Sequence, residues 1–173
     1  MDSFPPPPTP EGPLELWVSS DEPDEVGVML SFSDPEDPTM PILDLDRVTH
    51  VLGIEPTRMA RRGEVPARYF PRPARHNVWS FGGERVRTTS LAEQVRQMFA
   101  KLPPPGPAWD ELRPWGGELH CAMHLEFWNR ECRLPPDLLA AIASRHLDLR
   151  LDIYFVDEEP GDSGEELDED EPW

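Results

Sequence analysis

The strongest constraint on the fold is a strict alternation of side chains over residues 118–129. One side of this segment carries Cys121, Met123, Leu125 and Phe127, and the other carries His120, Ala122, His124, Glu126 and Trp128. A period of two residues is typical of a β-strand with one dry face and one partly polar face. A chain with such a strand must build a sheet with a single buried face, and other segments must cover that face.

Similar periodicity predicts three more strands and three helices. The strands are expected at residues 26–33, 76–81 and 149–155, and the helices at 41–52, 91–102 and 135–143. Ser90 and Glu93 have the spacing of a capping box, and Gly53 has the position of a helix C-cap. The pair of glycines after residue 81 is predicted to be a turn that ends the second strand. Residues 57–75 show neither period, which favours an irregular loop.

These elements predict a single α+β domain. Its sheet is expected to have four strands in a mostly antiparallel or mixed arrangement, with about three helices packed on it. The strand and helix at 26–53 resemble those at 119–147 in spacing and in the placement of apolar residues. This similarity suggests a duplicated layout of two βαβ-like halves within one sheet.

The charges divide the chain into a basic middle and two acidic ends. Residues 1–46 hold 12 acidic side chains and residues 151–173 hold 11, and neither segment contains Lys or Arg. Residues 47–150 hold all 16 basic side chains against 11 acidic ones, a net charge of +5. We predict a flexible Pro-rich N-terminus at 1–13, a folded domain at 14–156 and an acidic, disordered tail at 157–173, because these ends have little apolar surface to bury.

Several classes of protein are disfavoured by composition. Two cysteines cannot form a disulfide framework or a closed four-cysteine zinc site. No apolar run approaches the roughly 18 residues of a membrane span, and the N-terminus lacks a secretory pattern. We therefore expect a cytoplasmic protein with no cofactor and no membrane contact.

Three short strings resemble a known bacterial family. They are Leu52–Thr57 at the end of the first helix, Trp79–Ser80 in the second strand and Leu151–Tyr154 in the last strand. In order and spacing they resemble the family of domains of unknown function 4279, over about residues 26–156. The resemblance implies a small α+β domain of bacterial origin and supplies no catalytic residues. Some relatives have the profile of immunity proteins against bacterial toxins.

One candidate site is the polar side of the strand at 118–129. Two histidines and a carboxylate, here His120, His124 and Glu126, form a recognised metal-binding set. Alternate strand residues are about 6.8 Å apart, so the two histidines lie roughly 13 Å apart and cannot share one metal. Cys121 faces the other way, which works against a Cys–His nucleophile. A small enzyme or metal protein that uses this face is an alternative hypothesis.

A second candidate is the loop at 57–75, which is rich in arginine. Its basic side chains are those of Arg58, Arg61, Arg62, Arg68, Arg72 and Arg75, with Tyr69 and Phe70 among them. Guanidinium groups and aromatic rings bind phosphate and stack on bases, so nucleic-acid binding is a weaker alternative. The net charge of −18 opposes it. These arginines have a competing role as partners for the acidic ends of the same chain.

Our first hypothesis is a non-enzymatic protein-binding module. In its specific form the protein is an immunity-type inhibitor of a bacterial toxin, and the acidic ends steer a basic protein partner towards it. Solubility alone is the competing explanation of the tail. The candidate partner-binding residues are Arg58, Arg61, Arg62, Arg68, Tyr69, Arg72, Asp168, Glu169, Asp170 and Glu171.

Overall fold

The computed structural model describes residues 23–65, 72–87, 89–126 and 132–155. The strands are β1 (Glu25–Ser33), β2 (Arg58–Ala60), β3 (Val78–Val86), β4 (Gly117–Leu125) and β5 (Leu147–Phe155). The helices are α1 (Leu45–Leu52), α2 (Leu91–Phe99), α3 (Pro107–Leu112) and α4 (Pro136–Ala143), and a turn of 3₁₀ helix follows α3 at Arg113–Trp115. The predicted N-terminal arm and acidic tail lie outside the described residues.

The five strands form one mixed sheet in the order β2-β3-β1-β4-β5. All neighbouring pairs are antiparallel except β4 and β5, which are parallel. The α+β class and the mixed sheet are therefore confirmed, whereas the predicted count of four strands is one too low. The missing strand is β2, which lies in the segment predicted to be an irregular loop. Its three residues are too few to show a period, and pairing with β3 makes them a strand.

The predicted end of β3 at Gly82 is wrong, because the strand continues to Val86. Both glycines have positive φ angles, 88° for Gly82 and 93° for Gly83. The register between β1 and β3 shifts in this region, between Gly27 and Met29. An irregularity of this kind requires positive φ angles, which glycine adopts readily. The two glycines therefore lie within β3, although in the sequence they resemble a turn.

The helices follow local capping chemistry. α1 begins at Leu45, later than predicted, since the Asp44 side chain accepts a hydrogen bond from the backbone N–H of Arg47. α2 begins after Ser90, whose hydroxyl accepts from the backbone N–H of Glu93, as the capping-box pattern predicts. The fourth helix, α3, was missed because the prolines at 103–105 were expected to end helical structure, and Pro107 starts a new short helix.

The two predicted halves are not alike. β4, α4 and β5 form a parallel strand–helix–strand unit. In the first half, β1 and α1 are followed by β2 and then by β3. β3 pairs with β1 in the antiparallel direction, so this half is not a parallel strand–helix–strand unit. The similarity of the two strand–helix strings therefore does not extend to their topology, because pairing direction depends on the path of the chain after each helix.

The core lies between the sheet and the helices. β1 contributes Val26, Val28, Leu30 and Phe32, and β4 contributes Leu119, Cys121, Met123 and Leu125, all buried as their alternation predicts. The helices bury residues such as Val48, Val95, Trp109 and Ile142 in the same cluster. The alternate side chains of the central strands point away from the helices, onto what we call the open face. Of the helices in the described ranges, none has the length and apolar character to span a bilayer.

The glycine pair in β3 generates a stability prediction. A Cβ at Gly82 would lie 2.6 Å from the carbonyl oxygen of Val28 and 2.6 Å from Cε of Met98, whereas the nearest atom at Gly83 would be 3.7 Å away. Both Ala variants incur the positive-φ cost of about 1–2 kcal/mol. Gly82→Ala is expected to lose a further ~1–3 kcal/mol because the Val28 backbone cannot move aside easily. Urea denaturation of the two variants measures the difference, and equal stabilities would contradict the backbone clash.

Candidate functional site

The open face carries a cluster of polar side chains on β4 and β5. In the parallel register His120 pairs with Arg150, Ala122 with Asp152 and His124 with Tyr154. Because β-strand side chains alternate, all six of these residues point to the same side of the sheet. The parallel register thus places two histidines of β4 beside an arginine, a carboxylate and a phenol of β5.

Asp152 is the centre of this cluster. Its Oδ2 lies 2.8 Å from Nε2 of His120, and its Oδ1 accepts a hydrogen bond of 3.2 Å from Nε of Arg150. The Tyr154 hydroxyl lies 3.5 Å from the same Oδ2. The hydrogen bond from Arg150 is the main cause that lowers the pKa of Asp152, and His120 adds to it. The carboxylate is therefore held as an anion that fixes the ring of His120.

His124 lies in a different environment from His120. Its side chain is 8% exposed, and its ring stacks on that of Tyr154 with centroids 4.9 Å apart and an interplanar angle of 12°. Nε2 of His124 is buried and has no hydrogen-bond partner among the residues that the structure describes. Burial, and then the positive charge of Arg85, lowers the pKa of His124, while Glu25 acts in the opposite direction. His124 is therefore a neutral imidazole at neutral pH.

A cavity of about 220 Å³ lies next to these residues on the open face. Its lining is Gly27, Met29, Gly83, Arg85, His120, Ala122, His124 and Tyr154. Three of these, on three adjacent strands, have no side chain or only a methyl group, which makes a depression in the sheet surface. The larger members surround it with two imidazoles, a guanidinium, a phenol and a thioether.

The three residues of the alternative metal hypothesis, His120, His124 and Glu126, do not form a metal site. Glu126 lies beyond the end of β4, where it is exposed and its backbone N–H donates to Oδ2 of Asp24 over 2.8 Å. Its place beside His120 is taken by Asp152, which the sequence did not single out. Within the described ranges, no three His, Cys, Asp or Glu side chains gather closely enough to hold a metal ion.

Cys121 lies on the helix side of β4, in the core. The prediction that it is buried and faces away from the histidines is confirmed. Burial is the main cause that raises the pKa of its thiol to about 12. A thiol with so high a pKa is protonated at neutral pH and is a poor nucleophile.

The described arginines of the predicted loop lie at the surface, and one of them has an acidic partner. Arg58, Arg61, Arg62 and Arg72 are exposed, and Arg68 and Tyr69 lie outside the described residues. Nη2 of Arg61 pairs with both carboxylate oxygens of Asp46, at 2.9 and 3.2 Å. Asp46 belongs to the acidic N-terminal 46 residues, so this contact is of the internal kind proposed for the loop. The acidic residues Asp168, Glu169, Asp170 and Glu171 also lie outside the described part.

The outer strand β5 exposes a row of apolar side chains on the helix side of the sheet. Leu147 is buried and Leu149 half-buried, but Leu151, Ile153 and Phe155 are 46%, 55% and 59% exposed. We call these three residues the apolar edge strip. Their alternation predicted a strand, but not which part of it is covered. In the structure α4 contacts β5 and Leu147 is buried, while the end of the strand is exposed.

One comparison with known proteins identifies a family. A family model described as "Domain of unknown function (DUF4279)" matches residues 24–156. No curated protein and no solved structure matches the chain. The match covers every described strand and helix, and it agrees with the resemblance in the helix-end and strand strings.

The two cysteines are predicted to differ in reactivity. Cys132 is exposed and Cys121 is buried. Treatment of the folded protein with iodoacetamide at about pH 8 is expected to alkylate Cys132 and to leave Cys121 unmodified, since the thiolate is the reactive species. Intact mass measures the number of adducts. The Cys132→Ser variant is the control: it should gain an adduct only after unfolding, and labelling in the folded state would contradict the burial of Cys121.

The cluster around Asp152 is predicted to make stability depend on pH. The lowered pKa of Asp152 contributes stability above the ordinary Asp value of about 4, and this contribution is lost as the pH falls through the lowered value. Asp152→Asn is therefore expected to lower Tm at neutral pH, and this deficit should shrink as the pH falls through the lowered pKa of Asp152. Asp148→Asn, an exposed position on the same strand, is the control and should follow the wild type. A Tm deficit that is unchanged in acid would show that Asp152 acts through packing.

Proposed function

We propose that this protein, which belongs to the DUF4279 family, is a non-enzymatic module that binds a basic protein through the apolar edge strip of β5. The observation that carries the proposal is the exposure of Leu151, Ile153 and Phe155 in one row. In the specific form of the proposal the module is an immunity-type inhibitor of a bacterial toxin.

The edge strip has the composition of a binding surface. Large apolar side chains in contiguous exposed rows are uncommon on proteins that stay free in solution, and they commonly mark contact sites. Tyr154, on the opposite side of the same strand, is 46% exposed. Aromatic residues such as Tyr154 and Phe155 are also typical anchors at the centre of protein–protein interfaces.

The backbone of β5 adds a second means of binding. Among the described residues, β5 is the last strand of the sheet and pairs only with β4. The outer edge of such a strand presents N–H and C=O groups to which a strand of another protein can pair. A partner that adds a strand there covers the edge strip with its own side chains. Main-chain pairing and apolar contact then occur at the same place.

The charge of the chain favours a basic partner. The chain continues from Phe155 into residues 157–173, which contain ten acidic side chains and no Lys or Arg. The dense carboxylates therefore begin within two residues of the apolar edge strip. Such a charge raises the rate at which a cationic partner associates, and the apolar contact then slows its release. A toxin with a basic surface fits both properties.

The arrangement of the reactive side chains supports a role without catalysis. Cys121 points into the core, whereas His120 is held by Asp152 on the open face. The thiol and the imidazole therefore lie on opposite sides of the sheet. A nucleophile and its base must be within hydrogen-bond reach to act together.

The test begins with capture of a partner by the full chain and continues with direct binding of that purified partner. Ile153→Ser is expected to weaken binding by about tenfold or more, mainly through faster dissociation. Replacement of Asp168, Glu169, Asp170 and Glu171 by their amides should slow association about tenfold at low ionic strength and leave dissociation unchanged. Surface plasmon resonance separates the two rates.

Leu139→Ser is the matched control, because Leu139 is 45% exposed on α4 and lies outside the edge strip. It should change the affinity by less than about twofold. An equal loss in Leu139→Ser and Ile153→Ser, or a captured partner without a basic surface, would contradict the proposed surface. For the immunity form, expression of the partner alone must arrest growth, and co-expression of this protein must restore it.

A further inference from the structure

We infer that the cavity on the open face is a binding site for a small planar carboxylate. This site is separate from the apolar edge strip, since it lies on the opposite face of the sheet and is built from β1, β3, β4 and one residue of β5. The inference does not depend on the proposed protein partner. It rests on the shape of the cavity, on one buried polar atom and on the charges that remain unpaired around it.

The shape comes from three small residues at neighbouring positions. Gly27 pairs with Ala122 on one side and with Arg85 on the other. A Cβ at Gly27 would lie 3.7 Å from Cγ of Arg85, in ordinary contact, so the bare backbone there makes a low floor beside that arginine. At Gly83 a Cβ would lie 3.7 Å from the sulfur of Met29. The floor is therefore flat and mostly apolar, which suits a planar body, and thioether and aromatic groups make favourable contacts with rings.

The buried polar atom is Nε2 of His124. His124 is one of the residues that line the cavity, its side chain is more than nine-tenths buried, and no described residue bonds to its Nε2. A buried polar nitrogen without a partner costs about 1–3 kcal/mol, so such groups in native proteins call for a partner. Stacking on Tyr154 holds the ring in place. In the Nε2–H tautomer His124 donates a hydrogen bond to an acceptor in the cavity.

The available charge is positive. Arg85 lines the cavity, and within the described ranges it makes no ion-pair contact, although its charge acts on Glu25 from farther away. The nearby carboxylates already have partners, since Glu25 pairs with Arg87 at 2.6 Å and Asp152 bonds to His120 and Arg150. A guanidinium and an imidazole that belong to the lining of one cavity match the two oxygens of a carboxylate. An uncharged ligand of the same shape leaves Arg85 without an anionic partner.

The test uses benzoate as the carboxylate probe, with benzyl alcohol as the uncharged match and inorganic phosphate as the anion without a planar body. Two-dimensional NMR of the histidine rings in the full chain follows each titration. Benzoate is expected to shift the His124 signal with saturation in the millimolar range, while the exposed His50 on α1 stays unchanged as an internal reference. Saturation by phosphate with equal affinity would assign the site to oxyanions in general and would overturn the planar carboxylate. No saturable shift with benzoate, or an equal one with benzyl alcohol, would overturn it as well.

Variants locate the binding. Arg85→Gln removes the positive charge and His124→Phe removes the ring N–H, and each is expected to weaken benzoate binding by about tenfold or more. In the His124→Phe variant the titration is followed by the signal of His120, which also lines the cavity. Ala122→Leu places a larger side chain in the cavity and should abolish binding without a change in charge. Arg62→Gln is the control, since Arg62 is an exposed arginine that follows β2 and lies outside the lining. Dispersed amide spectra show that each variant is folded. A folded Arg85→Gln or Ala122→Leu that binds benzoate like the wild type would place binding elsewhere.

Discussion

The burial of one face of the sheet against the helices is the constraint on which the rest of the structure depends. β1 and β4 each place four apolar side chains on that face, and the helices cover them with residues such as Val48, Val95 and Ile142. Strand geometry then forces the alternate residues to the opposite side. Polar side chains there have to find partners among themselves, because no described helix supplies any. Asp152 does so by bonding to His120 and Arg150.

The same constraint separates two surfaces with different chemistry. The open face is polar, with a cavity between Arg85 and the two histidines. The apolar edge strip lies on the helix side, where α4 contacts β5 and Leu147 is buried, while the later residues of β5 are exposed. We propose a small anion as the ligand of the first surface and a protein as the partner of the second. Both surfaces meet at β5, where Tyr154 points to the cavity and its neighbours Ile153 and Phe155 point to the helix side.

Much of the charge in the described part of the domain is used internally. Arg61 pairs with Asp46, Arg87 with Glu25 and Arg150 with Asp152, and Arg47 contacts Glu111. Exposed pairs of this kind contribute little to stability, yet they reduce the positive charge available to an outside ligand. The net charge of +5 over residues 47–150 therefore overstates how strongly this region attracts nucleic acid. The exposed arginines of the 57–75 loop are part of this balance, as Arg61 shows.

The sequence by itself determined the α+β class, the two-faced character of β4, the burial of Cys121 and the role of Ser90 as the N-cap of α2. Each of these depends on neighbours within a few residues, through side-chain periodicity or capping. Only the tertiary structure decided the rest. β2 exists because β3 pairs with it, β3 continues through two glycines because β1 accepts the register shift, and Asp152 replaces Glu126 beside His120 because β5 is parallel to β4. These features depend on which strands become neighbours and in which direction, and that choice is made by packing between residues far apart in the chain.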